Sequence, residues 1–156
     1  MPCRNIVFFS LCLILIGIYC EKERCAGPMG ELPVPIIHDI PMERLFPDVA
    51  EMVEEEWFIK KNCTLEAPIL MPPGATAIAV LASGSSCEGE WPLLEISIEN
   101  RIIGSLRVCS SDWGWYTIPV DEILGGNELR ITFSNDRYTG HEDINVHIRK
   151  VVFLGV

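Results

Sequence analysis

A cluster of acidic side chains near the C-terminus has the composition of a cation-binding site. Asp136, Glu142 and Asp143 lie in residues 134–143, hereafter the acidic loop, between two strand-like runs. Like charges about 5 Å apart repel by roughly 1 kcal/mol in water, and by more where the surroundings are less polar. Calcium reverses the sign of that interaction, since it accepts carboxylates, backbone carbonyls and water as ligands. We therefore predict a Ca²⁺ site that includes Asp136, Glu142 and Asp143.

A solvated connecting loop is the alternative interpretation of the same residues. Asp and Asn side chains commonly make local hydrogen bonds that stabilise turns. The D-x-D-x-D-G spacing of an EF-hand is absent from the acidic loop. A calcium site therefore depends on the fold bringing the carboxylates together, which their spacing alone does not require.

Aromatic side chains near strand ends are a second indication of ligand binding. Tyr138 lies inside the acidic loop and is expected to be exposed, and Trp113 precedes a strand-like run. Indole and phenol rings pack against the apolar C–H faces of sugars, while polar groups beside them bind hydroxyls. We predict that Tyr138, Trp113 and Asn145 bind a ligand. Trp91 and Tyr116, flanked by strand residues, are expected in the core.

The elements that must position these residues have the period of β-strands. Beyond residue 63, polar and apolar residues alternate in short runs separated by Gly, Pro and Asn. Seven or eight such runs and little helix predict an all-β fold, a jelly-roll-like antiparallel β-sandwich. The predicted strands are 64–70, 76–84, 93–100, 101–108, 115–124, 129–133 and 144–156, of which the third and fourth are expected to pair as a hairpin.

The N-terminal residues have the pattern of an export signal. Arg4 precedes an apolar run from Ile6 to Tyr19, which is short for the roughly 20 residues of a spanning helix. Cys20 lies where a bacterial lipoprotein carries its lipid, although the preceding Tyr19 is bulky for such a site. We predict an exported protein, extracellular or at the cell surface, whose leader is either a cleaved signal or a membrane tether through Cys20.

The sequence divides into three regions. They are a signal peptide or lipoprotein leader at 1–20, a Pro-rich linker or strap at 21–47, and the β-sandwich at 48–156. The stretch DVAEMVEEEW, residues 48–57, places four apolar residues on one helical face and predicts a short helix.

Charge and cysteine spacing exclude several classes of function. The chain has 22 acidic and 12 basic residues, a net charge of −10, whereas nucleic-acid binding needs Lys and Arg to neutralise phosphates. We therefore predict no nucleic-acid partner. The seven cysteines contain no C-x-x-C pair and no zinc-type spacing with histidine. Cys63, Cys87 and Cys109 are expected to be buried thiols, or to form at most one pair unless Cys25 joins them.

Three segments together resemble the calcium-dependent xylan-binding family of carbohydrate-binding modules. They are ASGSSCEGEWPLLEISIENRIIG, VCSSDWGWYTIPV and FSNDRYTGHEDINVHIRKVVF, which follow the family's order of A-x-G, W-P, W-x-x-Y, F-x-N-D and D-R-N-L motifs. The resemblance covers residues 64–152. It implies a β-sandwich that binds polysaccharide through a calcium ion held in the acidic loop.

The resemblance also implies roles for individual residues. Asp136 and Asp143 match the family's calcium-binding aspartates, Glu142 would contribute its backbone carbonyl, and Asn145 would brace the loop. The chain departs from the pattern at Ile144, where the family has Arg. This departure changes the charge of the loop beside the ligand.

The leading hypothesis is non-catalytic, calcium-dependent binding of a xylan-type polysaccharide or oligosaccharide by an exported domain. The alternative is a structural or adhesive β-sandwich lipoprotein in which calcium, if bound, only makes the acidic loop rigid. An enzyme is not predicted, because Asp136 and Asp143 share one loop and the sequence has neither G-x-S-x-G nor H-E-x-x-H. His141 and His147 flank the acidic residues without a visible nucleophile.

Overall fold

The alternating sequence forms strands arranged as two packed sheets. The computed structural model describes residues 27–41, 45–47, 50–120 and 128–156. Within these ranges it has strands and no helix, and all strand pairs are antiparallel. The strands are β1 Ile36–Ile40, β2 Phe46–Pro47, β3 Glu51–Val53, β4 Glu56–Ile59, β5 Cys63–Pro68, β6 Ala75–Ser85, β7 Leu93–Ile98, β8 Arg101–Arg107, β9 Gly114–Pro119, β10 Glu128–Phe133 and β11 Asn145–Gly155. The predicted antiparallel β-sandwich is confirmed.

The strand order places the acidic loop at one end of the sandwich. The six-stranded sheet has the order β3-β4-β11-β6-β9, with β1 also paired to β11. The five-stranded sheet has the order β2-β5-β10-β7-β8. The acidic loop leaves β10 in the middle of one sheet and enters β11 in the middle of the other. It is therefore anchored at both ends by central strands.

The core lies between the sheets and follows the period of two. In the five-stranded sheet Ile131 pairs with both Leu65 and Ile96, and all three side chains are buried. In the six-stranded sheet Val80 pairs with Val151 and with Tyr116, also buried. Burial of one such aliphatic side chain stabilises the fold by about 1.5–3 kcal/mol. The core expectation for Tyr116 agrees with its burial, while Trp91 is partly exposed.

A strap of residues 27–35 covers part of the outer face of the six-stranded sheet. Met29 and Trp115 exchange two backbone hydrogen bonds of 3.0 Å. Gly114 lies directly beneath Pro28, and a Cβ at position 114 would be 1.9 Å from the Cβ of Pro28. Glycine is therefore required at Gly114 for the strap to approach the sheet. Leu32 and Val34 of the strap pack on a second, smaller apolar cluster of that sheet.

The predicted helix at residues 48–57 is wrong where the structure describes it. β3 and β4 form a hairpin through Glu54 and Glu55, whose φ angles are 48° and 66°. Positive φ at both turn residues matches the twist of a two-residue hairpin. The helix prediction rested on four apolar positions, but pairing of β4 with β11 buries Trp57 in the core and overrides that weak pattern.

Several predictions for the N-terminal region concern residues outside those described. These include the export leader at 1–20 and the tether at Cys20. Among the described residues, no helix is long and apolar enough to cross a membrane. Cys87 is a buried thiol, Cys63 is also buried, and Cys109 is disulfide-bonded.

Candidate functional site

The acidic loop folds back on itself as a small hairpin. The Ile144 amide donates to the Arg137 carbonyl at 3.0 Å, and the Thr139 amide donates to the Glu142 carbonyl at 3.0 Å. Gly140, with φ of 89°, forms the tip. The loop therefore has a defined shape rather than that of an open connection, and its two aspartates lie on opposite strands of the small hairpin.

Asp136 and Asp143 are brought close enough to affect one another electrostatically. Partial burial raises the pKa of Asp136, and the negative charge of Asp143 raises it further. Lys61, in the turn between β4 and β5, opposes this effect. The Asp136 amide donates to the Asn62 side-chain oxygen at 2.8 Å, which holds that turn against the loop. Two carboxylates that repel each other and are partly desolvated favour a bound cation.

Asn145 places an amide group next to this acidic pair. Its Nδ2 donates to Asp143 Oδ2 at 3.0 Å. Its Oδ1 is buried and has no hydrogen-bond partner. Buried polar atoms in native structures are almost always satisfied by protein, water or an ion. The orphaned amide oxygen beside a carboxylate therefore fits a site for a hard cation, which prefers oxygen ligands.

Glu142 has a different contact from the one expected for a metal ligand. Its carboxylate Oε2 accepts a hydrogen bond of 2.6 Å from the Glu88 amide, in the loop that follows β6. Among residues that the structure describes, no group of three or more His, Cys, Asp or Glu side chains is placed to hold a metal ion. The structure thus brings together Asp136 and Asp143 but directs the Glu142 side chain to a neighbouring loop, so metal binding by Glu142 stays a prediction.

That neighbouring loop, residues 86–92, supports the acidic loop through ionic contacts. Arg137 pairs with Glu88, and its guanidinium is 3.8 Å from the Glu90 carboxylate. Glu88 has a φ of 52°, a left-handed conformation in which its amide faces Glu142. Because the pairing side chains are about half exposed, each ion pair contributes at most about 1 kcal/mol.

Neutral hydrogen bonds complete the support of the site. The Ser85 hydroxyl donates to the Asp143 carbonyl at 2.6 Å and accepts from the Asn145 amide at 3.0 Å. Asn135 accepts from the Leu93 amide at 2.7 Å and donates to the Trp91 carbonyl at 2.9 Å. These contacts fix the start and the end of the acidic loop on β6 and β7.

The predicted aromatic residues occupy two separate places. Tyr138 is 71% exposed on the acidic loop, and its hydroxyl donates to the Gly140 carbonyl at 3.1 Å. Trp113 lies away from that loop, next to His147 of β11, with ring centroids 6.3 Å apart. The Arg149 guanidinium carbon is 4.0 Å from the centre of the Trp113 ring. Only Tyr138 is therefore part of the acidic loop itself.

The sequence did not predict the residues that support the acidic loop from distant parts of the chain. Lys61, Asn62, Ser85 and Glu88 are all far from Asp136 in sequence and meet the loop only through the fold. Asn62 is the first residue of an N-x-T sequon, a pattern that carries no information about the acidic loop. Nothing in a single sequence marks a neutral or charged turn residue as a neighbour of a particular loop.

The match to a family model covers the strands that carry this site. The family of calcium-dependent, xylan-binding carbohydrate-binding modules, CBM60, matches residues 77–156. The chain belongs to this family. The matched region runs from β6 to the C-terminus and includes the acidic loop and its supporting loop. No curated protein matches the chain.

Solved carbohydrate-binding modules share the fold of this module. The CBM36-1 domain of a multidomain xylanase from the hindgut metagenome of Trinervitermes trinervoides has a TM-score of 0.54 at 14% identity, covering 78% of this chain and 97% of that one. CBM86 from Roseburia intestinalis, a low-affinity xylan-binding module, has a TM-score of 0.51 at 14% identity, covering 76% and 94%. A CBM36 in complex with calcium and xylotriose has a TM-score of 0.50 at 10% identity, covering 74% and 98%. At these identities the likeness concerns the fold alone.

Proposed function

We propose that the protein is a non-catalytic module that binds xylan-type polysaccharide in a calcium-dependent way. The observation that carries this proposal is that Asp136 and Asp143 interact electrostatically within the acidic loop, and that Asn145, which is hydrogen-bonded to Asp143, has a buried side-chain oxygen without a partner. The family is described as calcium-dependent and xylan-binding. The oxygen-rich acidic loop supports calcium as a ligand, and the family supports both calcium and xylan.

The residues that would hold calcium are the two aspartates and Asn145. Calcium takes six to eight oxygen ligands, and these three side chains supply only part of that number. When bound, the ion would offer its remaining positions to water or to sugar hydroxyls. The exposed ring of Tyr138 on the same loop would pack against the sugar. A site with few protein carboxylates is expected to bind calcium weakly, as extracellular modules do, at about 10⁻⁴–10⁻³ M.

The arrangement does not favour catalysis by the acidic residues. Asp136 and Asp143 lie on one small hairpin, whereas the two carboxyl groups of a glycosidase flank the scissile bond from opposite sides. His147 is engaged by the Glu56 carboxylate at 2.9 Å. Binding without bond cleavage is the function that these contacts support.

The direct experiment is calorimetric titration of the full chain with xylotriose, first with calcium and then with excess EDTA. We expect binding in calcium that disappears with EDTA. Asp136→Asn and Asp143→Asn should each weaken calcium and sugar binding by more than about tenfold, because each removes a charged ligand. Glu142→Gln is the matched control, since it removes one charge from the same loop while its side chain contacts Glu88 rather than the aspartates.

The other outcomes have distinct meanings. Calcium binding without any sugar binding would favour the structural or adhesive alternative, in which the ion only makes the loop rigid. The hydrogen bond that Ser85 donates to the Asp143 carbonyl and the one that Asn62 accepts from the Asp136 amide already hold the loop, which argues that rigidity alone does not need an ion. Equal loss of binding in Glu142→Gln and the aspartate variants would overturn the assignment of the two aspartates.

We also propose that the protein is exported, on the basis of its N-terminal sequence. We expect the protein outside the cell, free or tethered through Cys20, because residues 1–20 have the composition of a secretory signal. Fractionation of cells that express the full chain, with a Cys20→Ala variant to test lipid attachment, would check this localisation.

A further inference from the structure

The outer face of the six-stranded sheet has one half that the strap does not cover. On this uncovered half, the side chains of Phe58, His147 and Trp113 form a line, hereafter the ring row. His147 of β11 pairs in register with Phe58 of β4 on one side and with Ser83 of β6 on the other. The row therefore crosses the sheet roughly at right angles to the strands.

The rings of the row contact one another closely. The Phe58 and His147 rings are stacked, with centroids 4.2 Å apart and planes 15° apart. The Trp113 ring meets His147 edge-on at 6.3 Å and 81°. Arg149 lies over Trp113, and the Lys60 amine is 4.6 Å from the centre of the Phe58 ring. The row is thus a surface of packed rings interspersed with hydrogen-bond donors.

The polar groups beside the ring row hydrogen-bond to one another and keep some hydrogen-bonding capacity for an outside partner. Glu56 accepts from His147 Nδ1 at 2.9 Å and from Arg149 at 3.0 Å. Because Nδ1 is held by a carboxylate, Nε2 is the nitrogen that His147 can present to an outside partner. The His147 side chain is 33% exposed and that of Arg149 is 49% exposed. Imidazole and guanidinium groups held next to rings suit hydroxyl-rich ligands.

The ring row is continuous with the acidic loop. Asn145 and His147 lie on the same side of β11, since side chains two residues apart share a face of a strand. Two residues of a strand span about 7 Å, so His147 follows directly after the orphaned Asn145 oxygen. Ser85 of the neighbouring strand, which pairs with Asn145, is exposed and continues the same polar surface, whereas Ser83, which pairs with His147, is buried.

We propose that the ring row extends the sugar-binding surface, so that a polysaccharide chain held at the acidic loop continues across Phe58, His147 and Trp113. This inference rests on the proposed function and adds to it the prediction that long chains bind more tightly than short ones. A protein partner fits the surface less well, since an interface core is depleted of charged residues. Here the rings alternate with Lys60, Glu56 and Arg149.

The test compares xylotriose with xylohexaose in titrations of the full chain with calcium. The wild-type protein should bind the hexasaccharide about tenfold more tightly than the trisaccharide. Trp113→Ala and His147→Phe should each remove most of that gain and leave trisaccharide and calcium affinities unchanged. His147→Phe keeps a ring stacked on Phe58, so it tests the nitrogen without removing the packing.

A control and a second measurement separate binding from folding. Ile102→Ala, at a 59% exposed position on the five-stranded sheet, should leave the length dependence as in wild type. In nitrogen NMR spectra, His147 Nε2 should shift with xylohexaose and not with xylotriose. Xylotriose binding without any gain for xylohexaose would overturn this inference alone. Absence of xylotriose binding in calcium would overturn the proposed function and the inference with it.

Discussion

The two halves of the outer face of the six-stranded sheet differ although the same strand runs through both. In its first half β11 alternates, with Val146 and Ile148 buried and His147 facing outward. In its second half Val152 and Leu154 are also buried, on the outer side, beneath the strap. A strand buried on both sides needs apolar residues at every position. The change from alternating to continuous apolar sequence along β11 therefore marks the boundary between the uncovered half and the half beneath the strap.

The largest expected effect comes from truncating a side chain in the covered half. Leu154→Ala should lower the free energy of unfolding by about 3 kcal/mol, because it leaves a cavity between the sheet and the strap. Urea unfolding measures the change. Arg149→Ala, on the same outer side in the uncovered half, should cost less than about 1 kcal/mol. Similar losses for both variants would show that the halves do not differ as the structure indicates.

A smaller effect is expected where the strap approaches the sheet most closely. Gly114→Ala should lower the free energy of unfolding by about 1–3 kcal/mol, since its Cβ collides with Pro28. Hydrogen exchange at the Met29 amide should become faster, because that amide donates to the Trp115 carbonyl. Gly30→Ala is the matched control, with no atom near its Cβ. Unchanged exchange at Met29 in Gly114→Ala would contradict the role of this contact.

The smallest effect concerns the charges of the uncovered half. Burial raises the pKa of Glu56, but hydrogen bonds from His147 and Arg149 outweigh it, so that its pKa lies below the ordinary value of 4.5. A lowered folded pKa means that Glu56 stabilises the fold above about pH 4.5. This contribution is lost as the pH falls through the folded value.

We expect a loss of less than about 1 kcal/mol on acidification, since ion pairs near the surface contribute little. Urea unfolding of wild type and Glu56→Gln across this range measures it. The difference in stability between the two proteins should shrink as the pH falls below 4.5. A difference that stays constant across the range would show that the Glu56 charge does not act in this way.

The sequence was most informative where its alternation was regular. The run from Leu129 to Phe133 is β10, and the hairpin predicted for 93–108 is β7 and β8. It turns at Glu99 and Asn100, both with positive φ. The family resemblance, carried by ordered motifs, agrees with the match over residues 77–156. The helix predicted at 48–57 was wrong because an apolar pattern over one short stretch fits either period, and strand pairing decided between them.

For the site, the sequence predicted the residue types of the acidic loop but not the residues that surround it in the fold. The types of Asp136, Asp143 and Asn145 predicted an oxygen-rich site because calcium prefers those ligands. The Glu142 side chain and the Asp136 backbone amide are held by partners more than forty residues away, Glu88 and Asn62 respectively.

By itself, the sequence determined the all-β class, the place of the acidic loop and the residue types that suit calcium and sugar, because these depend on local period and on the chemistry of single side chains. Only the tertiary structure decided that Asp136 and Asp143 lie close enough to interact electrostatically, that the Glu142 side chain contacts the Glu88 amide, and that Trp113 contacts His147. The physical reason is that each of these depends on strand order and register. Those are set by burial across two sheets rather than by any local stretch of the chain.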